Sequence, residues 1–176
     1  MQEAACAKVL TAMLKGRLEE SRTLTLKVVS GSMRPWINPG DAVIIEPVRL
    51  CGLGRGDIIL YHHNGRLFCH RLVQIKSEGR HFLLAKADWG FSPAAYIDSA
   101  ALLGRVARIE KPTFILDCNS LFWRAMNKLA GLLALGEENF SFSPTLKRVI
   151  RLPVFFFQGV MAFILKLADF CTSFSI

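Results

Sequence analysis

The amino-acid sequence predicts an α+β fold in which a small curled β-sheet, or barrel-like core, lies between an N-terminal helix and C-terminal helices. Residues 3–19 carry apolar side chains at helical spacing, residues 23–109 are dense in strand-like runs separated by short turns, and helical spacing returns after Glu110. We therefore expect three units: an N-terminal amphipathic helix at 1–22, a β core at 23–110 and a helical, apolar C-terminal extension at 111–176.

The spacing of apolar residues predicts a helix followed by a strand, because it changes from a helical period to a period of two. The apolar positions of the helix are Val9, Leu10, Met13, Leu14 and Leu18. Residues 23–29 then alternate with period two and are rich in residues that suit strands. The sequence thus predicts a strand that ends at Ser30.

An Asn-Gly pair gives the strongest turn signal in the chain. Asn64 and Gly65 separate two strand-like runs, 57–63 and 66–73, which predicts a hairpin. A two-residue loop there fixes the register, with the pairs His63 and Arg66, Tyr61 and Phe68, and Ile59 and His70. Residues 41–47, 80–86 and 102–109 are further predicted strands, and the continuous apolar run in 41–47 predicts burial on both faces.

The C-terminal third is predicted to be helical. Residues 120–135 show helical spacing, Gly136 is expected to end that helix, and Ser143-Pro144 is typical of the start of another. Residues 152–165 carry no charge, but this run is shorter than the ~20 residues that span a bilayer. Three environments stay open for it: the sheet or a protein partner, a membrane surface with basic residues at the headgroups, or a true anchor.

Composition limits the partners. The net charge of +8 is scattered along the chain, so we expect no nucleic-acid partner, whereas an anionic membrane surface contacted by the C-terminal helices stays open. The five cysteines are far apart and form no Cys-x-x-Cys pair, so we expect neither disulfides nor a metal site, and no cofactor.

Charges near the N-terminus bear on localisation. Glu3, Lys8 and Lys15 break any signal-peptide core, so we expect no N-terminal signal or anchor. The expected location is cytoplasmic or peripheral to a membrane through the C-terminal region. The oligomeric state is not predicted.

Two serines flank a glycine where the first strand ends. We interpret Ser32 as a candidate nucleophile, because its hydroxyl would be presented in a turn at the end of a strand. A serine hydroxyl needs a neighbouring base to take its proton and donors to stabilise the oxyanion that follows.

A histidine in the predicted hairpin could be that base. The register places His70 among Ile59, Tyr61 and Phe68, a position that suits a general base but also suits a histidine that is merely packed. His62 and His63 are expected to be solvated at the strand end.

Four short motifs, taken in order, resemble the boxes of type I signal peptidases and the wider S24/S26 clan of serine peptidases. They are residues 30–35 (Ser-Gly-Ser-Met-Arg-Pro), 56–59 (Gly-Asp-Ile-Ile), 70–71 (His-Arg) and 86–88 (Lys-Ala-Asp). The resemblance covers about residues 23–109. The histidine followed by arginine is similar to the endoplasmic-reticulum, archaeal and sporulation types, since bacterial housekeeping enzymes have lysine there.

The resemblance assigns a role to each matching residue. It implies that Ser32 is the nucleophile, that His70 is the general base and that Asp88 orients the imidazole. It also implies that Ser30, with the backbone amide of Ser32, binds the oxyanion.

One motif departs from the family pattern. Ala87 stands where the family has glycine and Trp89 follows, so Asp98 is kept as a substitute for Asp88. Lys86 is kept as an alternative base in a serine-lysine arrangement.

The expected function is that of a serine endopeptidase which removes a leader or signal segment from a precursor polypeptide through an acyl-enzyme. A non-catalytic peptide-binding or membrane-binding module on the same fold is the alternative. A self-cleaving repressor is disfavoured, because 31 residues precede Ser32 and no Ala-Gly or Cys-Gly bond lies among them.

Overall fold

The computed structural model describes residues 2–90 and 93–139, and it confirms the α+β prediction. The helices and strands, in chain order, are α1 (Gln2–Ser21), β1 (Leu24–Lys27), β2 (Ala42–Glu46), β3 (Ile58–His63), β4 (Arg66–Glu78), β5 (Arg80–Lys86), β6 (Ala95–Asp98), β7 (Leu102–Glu110), β8 (Ile115–Asp117) and α2 (Leu121–Asn139). Short 3-10 turns lie at Leu50–Gly52 and Ser99–Ala101.

The strands form one antiparallel sheet that curls into a half-barrel. Its strand order is β1-β2-β7-β3-β4-β5-β6. Along one edge of β7, β3 pairs with the N-terminal half of the strand and β8 pairs with the C-terminal half. β1, which leads into the Ser-Gly-Ser turn, therefore lies at one end of the strand order.

The Asn-Gly hairpin has the predicted register. Ile59 pairs with His70 and Tyr61 pairs with Phe68 across β3 and β4. Asn64 and Gly65 have φ angles of 46° and 78°, the left-handed values that a two-residue type I′ loop requires.

Two apolar cores lie on the two faces of β3. Ile58 and Leu60 belong to the first core, while Ile59 and Tyr61 belong to the second. Successive side chains of a strand point to opposite faces, so β3 is buried on both sides.

In α1, Leu14 and Leu18 pack on the first core, whereas Val9 and Met13 are 59% and 64% exposed. Two expectations about other elements are wrong. In β2, burial alternates instead of covering both faces, with Val43 and Ile45 buried and their neighbours only half-buried.

The second wrong expectation concerns Gly136, which does not end α2. The helix continues to Asn139. A glycine inside a helix costs only about 1 kcal/mol, and the next residue, Glu137, is buried in an ion pair with Lys86 that holds the final turn.

Strands β6 and β8 were not predicted. They have four and three residues, which is too short for a period of two to be distinguished in the sequence. The expected helix start at Ser143-Pro144 and the uncharged run at 152–165 lie outside the described residues. Within residues 2–90 and 93–139, neither helix has the length and apolar character needed to cross a membrane.

Candidate active site

The Ser-Gly-Ser turn follows β1 in an extended segment. Val28 donates its N–H to the carbonyl of Asp41 and accepts from the N–H of Gly40, both at 2.8 Å, which ties this segment to the chain entering β2. The hydroxyls of Ser30 and Ser32 lie 3.3 Å apart, with Ser30 exposed and Ser32 half-buried. The two predicted serines are thus within hydrogen-bond reach of each other.

The backbone of Ser32 is held from two directions. Met33, Trp36 and Ile37, which follow it, are buried in the first core. The carbonyl of Ser32 accepts a 2.9 Å hydrogen bond from the N–H of Trp89, in the turn after β5. The amide of Ser32 donates to no other described residue, so it is available to a developing oxyanion.

The ring of His70 packs beside two aromatic side chains that stack on each other, Tyr61 and Phe68. Its centroid is 5.8 Å from that of Tyr61 and 5.6 Å from that of Phe68. The Tyr61 hydroxyl and the Nδ1 of His70 are 2.8 Å apart and share one hydrogen bond, whose direction depends on the tautomer. Tyr61 therefore fixes the orientation of the imidazole.

Burial sets the charge states in this pair. It lowers the pKa of His70 below its ordinary value, and the negative charge of Asp88 opposes that shift in part. Burial, with a smaller contribution from Cys69, raises the pKa of Tyr61 to about 12. Near neutral pH the pair is therefore a neutral imidazole beside a neutral phenol.

The structure does not join Ser32 and His70 by a hydrogen bond. Within the described part of the chain, Ser32 Oγ has Ser30 as its hydrogen-bond partner and His70 has Tyr61. The Nε2 atom of His70 makes no hydrogen bond to a described residue, which leaves it able to accept a proton.

Asp88 is paired with Arg71. Its two carboxylate oxygens accept from the Nε and Nη2 atoms of Arg71, at 2.8 and 2.6 Å. The Nη1 atom of the same guanidinium donates to the carbonyl of Gly56 at 2.7 Å and to the Oδ1 of Asn127 at 2.9 Å. Arg71 is fully buried, and these bonds join β4, the turn after β5, the loop before β3 and α2.

Lys86, the alternative base, and Asp98, the substitute for Asp88, both have partners other than Ser32 and His70. Lys86 is buried and forms ion pairs with Glu137, at 3.2 Å, and with Glu138 of α2. Asp98 is exposed and accepts from the N–H of Ala100 at 2.8 Å, which caps a 3-10 turn. Lys86 therefore contacts α2 and Asp98 stabilises a turn.

Several residues of this region were missed or misjudged from the sequence. The hairpin register predicts that Tyr61 and His70 share a face but does not predict the hydrogen bond between them. The helical spacing of residues 120–135 does not indicate that Asn127 would bond to Arg71, and nothing in the sequence indicates that Glu137 would pair with Lys86. His62 was expected to be solvated, yet its Nε2 is buried without a hydrogen-bond partner among the described residues.

Neither metal nor disulfide chemistry is visible in the described ranges. No group of three or more His, Cys, Asp or Glu residues there could hold a metal ion. Cys51, Cys69 and Cys118 are free thiols.

Comparison with known proteins assigns the chain to a family. No curated protein matches the chain. A family model described as Peptidase S24-like matches residues 5–107, more than half of the chain, and this match contains Ser30, Ser32, His70 and Asp88. The chain therefore belongs to the Peptidase S24-like family, which is a family of serine peptidases.

Proposed function

We propose that the protein is a serine endopeptidase that cleaves a leader or signal segment from a precursor polypeptide through an acyl-enzyme, with Ser32 as nucleophile and His70 as general base. The observation that carries the proposal is the family match, because it spans both residues in one peptidase domain. The neutral imidazole of His70 and the amide of Ser32, which donates to no described residue, would supply two of the functions that such chemistry needs.

In the first half-reaction, Ser32 Oγ attacks the carbonyl carbon of the scissile peptide bond while the Nε2 of His70 takes the hydroxyl proton. The C–N bond then breaks, and the leaving amine receives that proton from His70. For Nε2 to be the accepting nitrogen, Nδ1 must carry a proton and donate it to the Tyr61 oxygen, 2.8 Å away. Catalytic hydrogen bonds commonly tighten only when substrate binds, which is the step that would bring Ser32 and His70 together.

The negative charge that develops on the carbonyl oxygen needs two donors. The amide of Ser32 and the hydroxyl of Ser30 would supply them, since the two hydroxyls are 3.3 Å apart on one turn. One such donor typically contributes about 100-fold or more to the rate.

In the second half-reaction, a water molecule attacks the acyl carbon while His70 takes its proton. The ester bond to Ser32 breaks, and Ser32 Oγ recovers a proton from His70. The products are two peptides, and the enzyme returns to its starting state without a cofactor.

The segment before Ser30 offers a place for an extended substrate. Val28 directs its backbone groups toward β2, so those of Val29 point the opposite way, and they bond to no other described residue. The Val29 side chain is 89% exposed. A substrate strand could pair along this edge and bring its scissile bond to Ser32.

The test is digestion of a peptide library, read by mass spectrometry, by the wild type and by the Ser32→Ala variant. We expect the variant to lose about 1,000-fold or more in cleavage rate, because no other group replaces the nucleophile. The matched control is Ser77→Ala. Ser77 bonds to a histidine in the structure, with 2.8 Å between its Oγ and the Nδ1 of His81, and both residues are exposed on the β4–β5 hairpin, away from Ser32.

Equal cleavage by the wild type and Ser32→Ala would overturn the proposal. Absence of cleavage, together with tight binding of unprocessed peptides by both proteins, would instead indicate the non-catalytic binding module.

A further inference from the structure

We propose that helix α2 is a positioning element of the Ser32 site, acting through Asn127 on Arg71 and through Arg71 on the turn that holds Ser32. The expected effect on cleavage rests on the proposed function. It concerns a helix that begins after residue 107, where the family match ends.

The first step is the contact between α2 and Arg71. Asn127 is 6% exposed, and its Oδ1 accepts a 2.9 Å hydrogen bond from the Nη1 of Arg71. Arg71 is fully buried, so each of its donors requires a partner, and Asn127 is the partner that α2 provides.

The second step is the close approach of the backbones. A Cβ atom placed on Gly56 would lie 2.0 Å from the carbonyl oxygen of Asn127, and one on Gly131 would lie 2.7 Å from the nitrogen of Gly56. The two glycines therefore allow α2 to sit directly on the loop whose carbonyl also accepts from Arg71.

The third step leads from Arg71 to the serine. The paired carboxylate of Asp88 is adjacent in sequence to Trp89, whose N–H donates to the Ser32 carbonyl at 2.9 Å. Displacement of the guanidinium would remove the bidentate anchor of the Asp88 carboxylate, and we expect this to weaken the hydrogen bond from Trp89 to the backbone of Ser32.

A second connection joins α2 to the same segment through Lys86, the cross-strand partner of Arg71. Lys86 ends β5, two residues before Asp88, and its ammonium is paired with Glu137 and Glu138 of α2. Helix α2 thus holds the segment 86–89 at both ends, through a buried lysine and through the Arg71 network.

The experiment compares three full-length variants. Asn127→Leu keeps the number of side-chain heavy atoms and the branch at Cγ but removes the acceptor, and Asn127→Asp keeps an oxygen for Arg71. Met126→Ala loosens the packing of α2 on the first core and removes no hydrogen bond to Arg71. The main measurement is hydrogen exchange of the Trp89 amide by NMR, which does not depend on catalysis. The second is the cleavage rate of a library-derived peptide, with kcat and KM separated.

We expect Asn127→Leu to raise the exchange rate of the Trp89 amide by about tenfold, the effect of weakening one hydrogen-bonded turn. It should lower kcat by a similar factor with little change in KM, and Asn127→Asp should restore both. Met126→Ala should leave Trp89 exchange close to that of the wild type once its loss of global stability is subtracted.

Unchanged Trp89 exchange in Asn127→Leu would overturn the inference, as would equal effects of Asn127→Leu and Met126→Ala, which would show that α2 only stabilises the fold. Failure of the proposed function is distinguishable, because it appears as equal cleavage by the wild type and Ser32→Ala, whatever the exchange data show.

Discussion

His70 and Arg71 are neighbours on β4 and meet opposite environments. His70 packs against the aromatic rings of Tyr61 and Phe68 and makes one hydrogen bond to a neutral phenol. Arg71 points to the other face, fully buried, with every nitrogen of its guanidinium bonded to an oxygen.

The difference shows how one strand can carry both a reactive group and a rigid support. A base must gain and lose a proton, so surroundings that tolerate the neutral form suit it. A buried guanidinium keeps its charge, so it is tolerated only when its partners are complete. Substitutions on the two faces of β4 should therefore differ in their effects on stability and on cleavage.

Replacing Arg71 with methionine should give the largest change in stability. The variant would leave the Asp88 carboxylate, which is 12% exposed, without its cation, and it would strip Gly56 and Asn127 of a donor. We expect a loss of about 3–5 kcal/mol in the free energy of unfolding, measured by urea denaturation. His70→Leu is the matched variant on the other face and should cost about 1–3 kcal/mol, because it leaves only the Tyr61 hydroxyl without a partner. Equal losses would contradict the contrast.

Replacing Tyr61 with phenylalanine tests the surroundings of His70 without changing those of Arg71. The change removes the hydroxyl that holds Nδ1 of His70 and keeps the ring that packs in the second core. We expect stability to fall by only about 1 kcal/mol, and cleavage to fall by about tenfold or more because the imidazole loses its orientation. An unchanged cleavage rate would show that the Tyr61 hydroxyl does not orient the base.

Replacing Asp88 with asparagine should give the smallest effect on His70, and it should also destabilise the fold because the buried Arg71 guanidinium loses its carboxylate partner. The negative charge of Asp88 raises the pKa of His70 and so opposes the effect of burial. Removing that charge should move the pKa of His70 further down, and the acidic limb of the pH–rate profile should move to lower pH with it. NMR titration of the His70 ring measures the shift directly. Asp98→Asn, an exposed carboxyl that caps a 3-10 turn, is the control and should leave the pKa of His70 unchanged.

The hairpin shows what could be predicted locally. Asn64 and Gly65 allow left-handed backbone angles at adjacent positions, and the two-residue loop then sets each cross-strand pair, including Ile59 with His70. The motif at 30–35 likewise indicates a serine peptidase of the S24/S26 clan, in agreement with the Peptidase S24-like match over residues 5–107.

The roles of the remaining charged residues could not be predicted in this way. Asp88 was expected to orient His70 because it follows that residue in the order of the family motifs, and its role in catalysis stays a prediction. Its bidentate pairing with Arg71 depends on how the turn after β5 folds back onto β4. Asn127 lies 56 residues from Arg71, and no local spacing relates the two.

The sequence by itself determined the α+β class, the hairpin register and the candidate residues Ser32 and His70, because these depend on hydrophobic period, turn chemistry and short motifs. Only the tertiary structure decided that Tyr61 hydrogen-bonds to His70 and that Arg71 pairs with Asp88. It also decided that α2 supplies an acceptor for Arg71 through Asn127. The physical reason is that buried polar groups must find partners wherever the packed chain brings them, and this constraint acts across space with no fixed separation in sequence.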